Sequence, residues 1–384
     1  MSTIAGVPVN LTRRRFEPRA NSTREDEDPA MKMFPSRLPS VVLGCLFAAA
    51  CLVVFSLTSG CTGGADGTVL VRMATLFNPD HHLAKKLEWT KTELEKRSGG
   101  RFRCEVYDSS VLGGEKQNLE DLLAGNLELM NGAGSYYYNF CPETNVLELP
   151  AYGWKDREEA RDALKGYWDK FIEVSKKKGF YPVALDIRDY WGIFYREPIT
   201  SVEQIKNAKF RSVNAPLWTQ LTTVCGAVPQ QIPYAETYLA FKNGVADGSL
   251  GSVTGGASAR WHEVLKGYLD ARLVLSESFT LTSDKWLQAL PEDLRTIFLE
   301  VCTDSEEYNL MEVKAQFEMN RKKLLDAGVE WVDYEDLDMT ELSKKIRTFR
   351  DNYMREQGPE AYKFYQEWLV YVEQKTGRPQ RSEP

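Results

Sequence analysis

The chain has 384 residues, a formal net charge of -7, 43% hydrophobic and 27% charged residues. That balance fits a globular protein of one large or two ordinary domains and excludes a disordered or fibrous one. The acidic excess argues against nucleic acid as a partner, since phosphate binding needs a basic face, and only three histidines, His81, His82 and His262, leave few general bases or metal ligands.

The chain opens with Ser2 to Pro29, which carries arginine and acidic clusters and no apolar period. It reads as disordered, or as a start placed upstream of Met31 or Met33. Val41 to Leu57 is the only long apolar run, and it is marginal against the roughly twenty residues of a membrane span. Lys32 and Arg37 precede it, and Thr58-Ser59-Gly60-Cys61 follow. A positive flank, an apolar centre and a small-residue exit predict a signal peptide over residues 1–60; the alternative is an anchor that stays in the membrane. Gly60-Cys61 is similar to a bacterial lipobox, which makes Cys61 a lipidation candidate and residues 61–67 a flexible tether. Without residues 1–60 the chain keeps 41 basic and 50 acidic residues, a net of -9. Four cysteines then remain beyond Cys61, namely Cys104, Cys141, Cys225 and Cys302, with no C-x-x-C pair to suggest zinc. Buried free thiols and disulfides both stay open.

Next, Val69 to Thr75 predicts a strand, and the leucines 83, 87 and 94 predict a helix stopped by Gly99-Gly100. Phe102 to Tyr107 alternates as a strand. A helix follows Leu112-Gly113-Gly114 and ends at Gly125, and Leu127 to Met130 makes a third strand. This rhythm predicts an α/β sheet with right-handed crossovers. An aromatic loop at 135–140 leads to a charged helix over 158–178. Tyr181 to Ile187 and Trp191 to Tyr195 read as two successive strands, a crossing between domains. A second α/β unit runs from about 190 to 270: strands at 209–213, 228–232 and toward Leu250, with helices at 217–224 and 234–243. Ala271 to Ser276 returns the chain to the first sheet. Pro291 opens a long helix to about Ala327, and two more helices occupy about 338–357 and 359–375.

The chain holds no dinucleotide fingerprint, phosphate loop, metalloprotease helix or nucleophile elbow. Gly255-Gly256 lacks the lysine and third glycine of a phosphate cradle. His81 and His82 are adjacent, so on a helix they diverge by about 100° and suit a helix start better than a metal. Arg211 lies on a half-buried strand, where a guanidinium could grip a carboxylate with two parallel hydrogen bonds or serve a structural salt bridge. Asp189 and Glu236 are the bases that a periplasmic hydrolase or lyase would use.

The run Pro198-Ile199 through Ile205-Lys206-Asn207-Ala208-Lys209-Phe210-Arg211 resembles the DctP-like solute-binding subunits of tripartite ATP-independent periplasmic (TRAP) transporters. Further marks follow in order: Leu112-Gly113-Gly114-Glu115, Gly226-Ala227-Val228-Pro229, Tyr234 to Phe241, Gly244-Val245-Ala246-Asp247-Gly248, Lys285-Trp286, and Leu290-Pro291-Glu292-Asp293-Leu294. The resemblance implies a two-domain α/β periplasmic-binding-protein fold, clam-shaped, with a long domain-spanning helix and C-terminal helices. By family geometry the first domain takes 66–188 and 277–316, the second 189–276, and helices over 317–375 pack across both. It implies no catalysis and no cofactor or metal. Its partners are a small organic carboxylate, the TRAP membrane permease and, through Cys61, the membrane, with the protein in the periplasm.

Arg211 matches the family's carboxylate-binding arginine. In sialic-acid-type members a second arginine lies twenty places earlier, where this chain has Trp191; Arg188 and Arg196 stand nearby. Those members follow the Asp-Gly pair with an orienting asparagine, and here Ser249-Leu250-Gly251-Ser252 follows instead. Tyr234 aligns with an aromatic that lines the family pocket. The expected ligand contacts are therefore Arg211, Trp191, Asn214, Tyr234, Tyr136, Arg188, Ser249 and Ser252, in a pocket more aromatic and less charged than the sialic-acid type. A sensor that reports ligand to a membrane kinase would share this fold.

Overall fold

A computed structural model describes residues 67–380 apart from 135 and 151. The expected export segment and Cys61 lie outside the described residues. Among those described, no helix is long and apolar enough to cross a membrane, and no group of His, Cys, Asp and Glu side chains could hold a metal ion.

The N-terminal rhythm is present: β1 (Val69–Ala74), α1 (His82–Arg97), β2 (Phe102–Tyr107), α2 (Glu115–Ala124) and β3 (Leu129–Ala133) alternate. β1 pairs in parallel with both β2 and β3, as strand–helix–strand units require. α2 ends at Gly125, whose φ of 80° costs glycine nothing. After the short α3 (Tyr137–Phe140), the single charged helix expected over 158–178 is two, α4 (Arg157–Gly166) and α5 (Trp168–Lys176). Tyr167 breaks it: its ring packs against Phe171, Phe364, Trp368 and Tyr371, and its backbone leaves the helical region at φ -112°, ψ 10°.

The two strands expected at 181–187 and 191–195 are one, β4 (Phe180–Tyr195). A second unit follows, with β5 (Lys209–Ser212), α6 (Pro216–Val224), β6 (Val228–Gln231), α7 (Thr237–Lys242), β7 (Gly248–Ser252) and α8 (Val253–Ser258). β5 pairs in parallel with β6 and β7. The expected helix start at Tyr234 is a separate 3-10 turn over Tyr234–Glu236. β8 (Gly267–Ser283) then returns antiparallel along β4, with register shifts between Ile187 and Tyr190 and between Trp191 and Ile193. At these bulges the paired strands bend instead of ending, which is why one strand read as two. Gly192 permits the crossing, because a Cβ there would collide with the Leu269 carbonyl and the Tyr268 ring. The full order is β2-β1-β3-β8-β4-β7-β5-β6, so the long β8–β4 ribbon joins two parallel half-sheets.

α9 (Asp284–Ala289) precedes α10 (Glu292–Asp326), a helix of 35 residues. Its buried residues, among them Leu294, Phe298, Val301, Ser305, Asn309, Val313, Gln316, Asn320 and Leu324, recur three and four apart and keep one stripe against the protein. That stripe packs on α1, β4 and α8. An unforeseen β9 (Glu330–Val332) pairs in parallel with β8. α11 (Thr340–Glu356) and α12 (Pro359–Thr376) close the chain, with Phe364, Tyr365, Trp368 and Leu369 in the main core. Cys104, Cys141, Cys225 and Cys302 are all free and buried. Burial pushes each thiol up to about 12, so none is a nucleophile at neutral pH.

Candidate functional site

Arg188, Trp191, Arg211, Tyr234 and Ser252 line one cavity of about 130 Å³, together with Phe77, His81, Glu115, Glu148 and Trp261. Its walls come from the segments that end or follow β1, β3, β5 and β7, the carboxyl ends where open α/β sheets bind ligands. A larger cleft, of about 360 Å³ and lined in part by Trp154, Tyr190, Arg272 and Arg347, contains none of the expected ligand residues.

Arg211 stands on β5 and is 5% exposed. Its Nε–H donates to the Ile232 carbonyl at 3.0 Å. Among the described residues no carboxylate pairs with it. Burial lowers its pKa from 12.5 to about 10, with the neighbouring Tyr234 acting in the opposite sense. A buried cation without a counter-charge is costly, and an incoming anion removes that cost.

Arg188 is the second guanidinium of the cavity, and here the structure departs from the expected weakly charged pocket. Its Nη2 lies 3.3 Å from Glu148 Oε1, with the two side chains 13% and 1% exposed. The guanidinium also sits 6.0 Å over the Phe77 ring. Arg188 falls inside the β4 bulge, and a bulge re-aims side chains in a way that counting positions along a strand does not show. Two arginines and two glutamates therefore share the lining.

Trp191 stacks on Trp218 with centroids 3.9 Å apart. The Trp218 Nε1–H donates to Glu148 Oε2 at 3.0 Å, so the stack is tied to the same carboxylate that pairs with Arg188. The Tyr234 hydroxyl donates to the Gly255 carbonyl at 2.8 Å, and burial pushes its pKa up to about 12. His81 caps α1: its Nδ1 accepts the Leu83 N–H at 3.2 Å, which assigns the ring proton to Nε2. The ring stacks on Phe77 at 3.9 Å. α10 holds this corner, since Asn309 Oδ1 lies 2.8 Å from His82 Nδ1 and Gln316 Oε1 accepts the His82 backbone N–H at 3.1 Å. Burial drives His81 well below the usual imidazole range and His82 to about 3, so both stay neutral.

Three expected contacts are elsewhere. Asn214 is exposed beyond the end of β5. Tyr136 packs against the main core while its backbone N–H donates to Glu115 Oε1 at 3.0 Å. Ser249 is fully buried, with its hydroxyl directed at the Arg211 and Leu250 carbonyls. Alternation puts Ser249 on the same face of β7 as the lining residue Gly251, and what withdraws it is the commitment of its hydroxyl to backbone carbonyls. Ser252 does border the cavity, although its Oγ accepts the Gly255 N–H at 3.1 Å as the cap of α8. Of the possible bases, Glu236 is exposed. Asp189 is buried and held by Arg157 Nη2 at 3.2 Å and by both the backbone and hydroxyl of Thr254.

Sequence reasoning missed Phe77, His81, Glu115, Glu148 and Trp261 as lining residues. Glu115 carried a signal, as it follows the Leu-Gly-Gly run; its Oε1 accepts the N–H groups of Gly134, Tyr136 and Tyr137. Glu148 had only the oddity of a glutamate between Leu147 and Leu149.

Comparison with known proteins is consistent with this geometry. The family described as bacterial extracellular solute-binding protein, family 7, matches residues 73–357. A solute-binding protein of Chromohalobacter salexigens is 24% identical over 316 residues, 81% of this chain and 92% of its own. The C4-dicarboxylate-binding periplasmic protein DctP of Vibrio cholerae is 23% identical over 291 residues, 74% of this chain and 85% of its own. Among solved structures, a TRAP solute-binding protein of Chromohalobacter salexigens with bound D-glucuronate superposes with a TM-score of 0.74 at 21% identity, covering 78% of this chain and 99% of its own. A Bordetella pertussis receptor binding pyroglutamic acid gives 0.71 at 18% identity, with coverage of 78% and 99%.

Proposed function

The chain belongs to the bacterial extracellular solute-binding proteins of family 7, the DctP-like receptors of TRAP systems, and on that premise we propose that it captures a small organic carboxylate on Arg211 and delivers it to a membrane permease. This is a family of periplasmic binding receptors, not of enzymes. The observation that carries the reading is Arg211 itself: a buried guanidinium, facing a cavity, that donates to the Ile232 carbonyl and has no acid beside it among the described residues. In the open receptor the carboxylate docks on Arg211. Closure about the β8–β4 ribbon, between lobes of residues 66–188 with 277–316 and residues 189–276, then excludes water and packs Trp191 and Tyr234 on the ligand body. Relatives bound to glucuronate, galacturonate and pyroglutamate indicate the size and class of acid.

Native mass spectrometry of the purified protein tests this directly. A co-purifying organic acid, lost from an Arg211→Met variant, is the expected result; a bound species without a carboxylate would refute it. The lipid anchor at Cys61 is part of the same proposal and rests on Gly60-Cys61 alone. An exported chain whose Cys61 is unmodified would remove it without touching the ligand reading.

A further inference from the structure

We infer that Glu148 determines how many carboxylates a ligand of this cavity can carry: by occupying Arg188 with an internal carboxylate, it leaves Arg211 as the one cation open to the ligand. This rests on the reading of Arg211 as anchor and sharpens it to a class, a monocarboxylate whose body bears neutral hydrogen-bonding groups.

The two guanidiniums of the cavity stand in opposite surroundings. Arg211 has no acid partner among the described residues. Arg188 pairs with Glu148 at 3.3 Å and also feels the buried carboxyl groups of Glu115 and Glu277. Glu148 is fixed in place: its side chain is 1% exposed, and its second oxygen accepts the indole N–H of Trp218, itself stacked on Trp191. Glu277 is 2% exposed with an oxygen that has no hydrogen-bond partner. Burial, with Glu148 adding to it, holds that carboxyl well above the usual range, so it stays protonated at neutral pH and leaves Glu148 as the carboxylate in contact with Arg188. Among the described residues the Arg188 Nε–H has no hydrogen-bond partner, but a ligand's second carboxylate reaching for this guanidinium would stand beside Glu148, which lies 3.3 Å from Nη2. Like charges forced together in a closed site suppress the wrong partner, and such a repulsive element separates one ligand class from another as a new attraction alone does not. Hydroxyl or N–H donors at that end meet acceptors instead. The inference therefore sets this chain's ligand apart from the C4-dicarboxylates named for the Vibrio relative.

The test is calorimetric titration of the full chain and of Glu148→Gln with two monocarboxylates, D-glucuronate and pyroglutamate, and two dicarboxylates, succinate and L-malate. Glutamine keeps the shape and an acceptor for Trp218 while removing the charge. The wild type is expected to favour a monocarboxylate by roughly tenfold or more, and Glu148→Gln to shift that ratio toward dicarboxylates by a similar factor. Adding Arg188→Gln to Glu148→Gln should abolish the gain. Wild type that binds succinate as tightly as its best monocarboxylate overturns the inference even if the variant does not fold. So does a ratio that ignores Glu148 while binding still depends on Arg211. Monocarboxylate binding that survives Arg211→Met overturns the anchor reading instead, and binding of none of the four acids overturns both.

Discussion

Replacing Arg211 with methionine should leave the empty receptor at least as stable as wild type while abolishing its response to ligand. The side chain keeps most of its apolar stem and loses its charge. In the folded protein the guanidinium is held at about 10 against an ordinary 12.5, and each pKa unit corresponds to about 1.4 kcal/mol. Keeping the empty cavity charged thus costs on the order of 3 kcal/mol. Because the folded value lies below the unfolded one, that cost is carried in full at every pH below about 10 and is relieved only as pH rises above it. Methionine removes it at pH 7 but leaves the Ile232 carbonyl without its donor, a loss of about 1–3 kcal/mol. The ligand-free variant should therefore be as stable as wild type or up to about 2 kcal/mol more so. Ligand at a hundred times Kd adds about 2.7 kcal/mol to wild type, and the variant, with binding weakened by about 2–5 kcal/mol, should gain almost none. Urea unfolding with and without the co-purifying acid measures both. A ligand-free variant destabilised by more than about 1 kcal/mol would make Arg211 a structural cation, and an undiminished ligand response would place the anchor elsewhere.

Acid should destabilise the fold through the buried histidines. The folded pKa of His82, about 3, lies below its unfolded value, so its contribution is complete above about pH 6.5 and is lost as pH falls toward 3. His82→Asn, which keeps a donor for Asn309, should lessen the loss between pH 6 and 5 by about 1 kcal/mol in denaturant titrations; an unchanged slope would show that His82 is not buried neutral. Gly192→Ala should cost about 1–3 kcal/mol by overpacking the ribbon against Tyr268 and the Leu269 carbonyl, whereas a neutral effect would mean the strands part easily there. Alkylation mapped by mass spectrometry should label Cys104, Cys141, Cys225 and Cys302 only after denaturation, since all four are buried with raised thiol pKa values; rapid native labelling of any one would contradict its burial.

The elements with a local cause were legible in the sequence. α1, β2, α2 and the long α10 follow from periodicity and glycine stops, and they lie within a few residues of their expected bounds. Elements decided by distant packing were not. Tyr167 leaves its helix for aromatic partners some two hundred residues away, and β9 exists because β8 offers it an edge. The site divides along the same line. Arg211, Trp191 and Tyr234, singled out by their position in the chain, line one cavity. Arg188 depends on a bulge whose register comes from β8, and Glu148 depends on a Trp218 that only the folded chain brings near.

That division bears on how the receptor could sense its ligand. Arg188 and Trp191 belong to the ribbon that joins the half-sheets, Glu148 to the segment before α4, and Trp218 to α6 of the second unit. The Arg188–Glu148–Trp218 chain of contacts therefore links β4, the segment before α4 and α6, and Trp191 completes it by stacking on Trp218. A ligand body resting on Trp191 would press on the same contacts that keep Arg188 neutralised. Selection of one carboxylate and closure of the cleft would then draw on a single set of side chains, and a substitution at Glu148 should alter both the class of acid accepted and the stability that the acid confers.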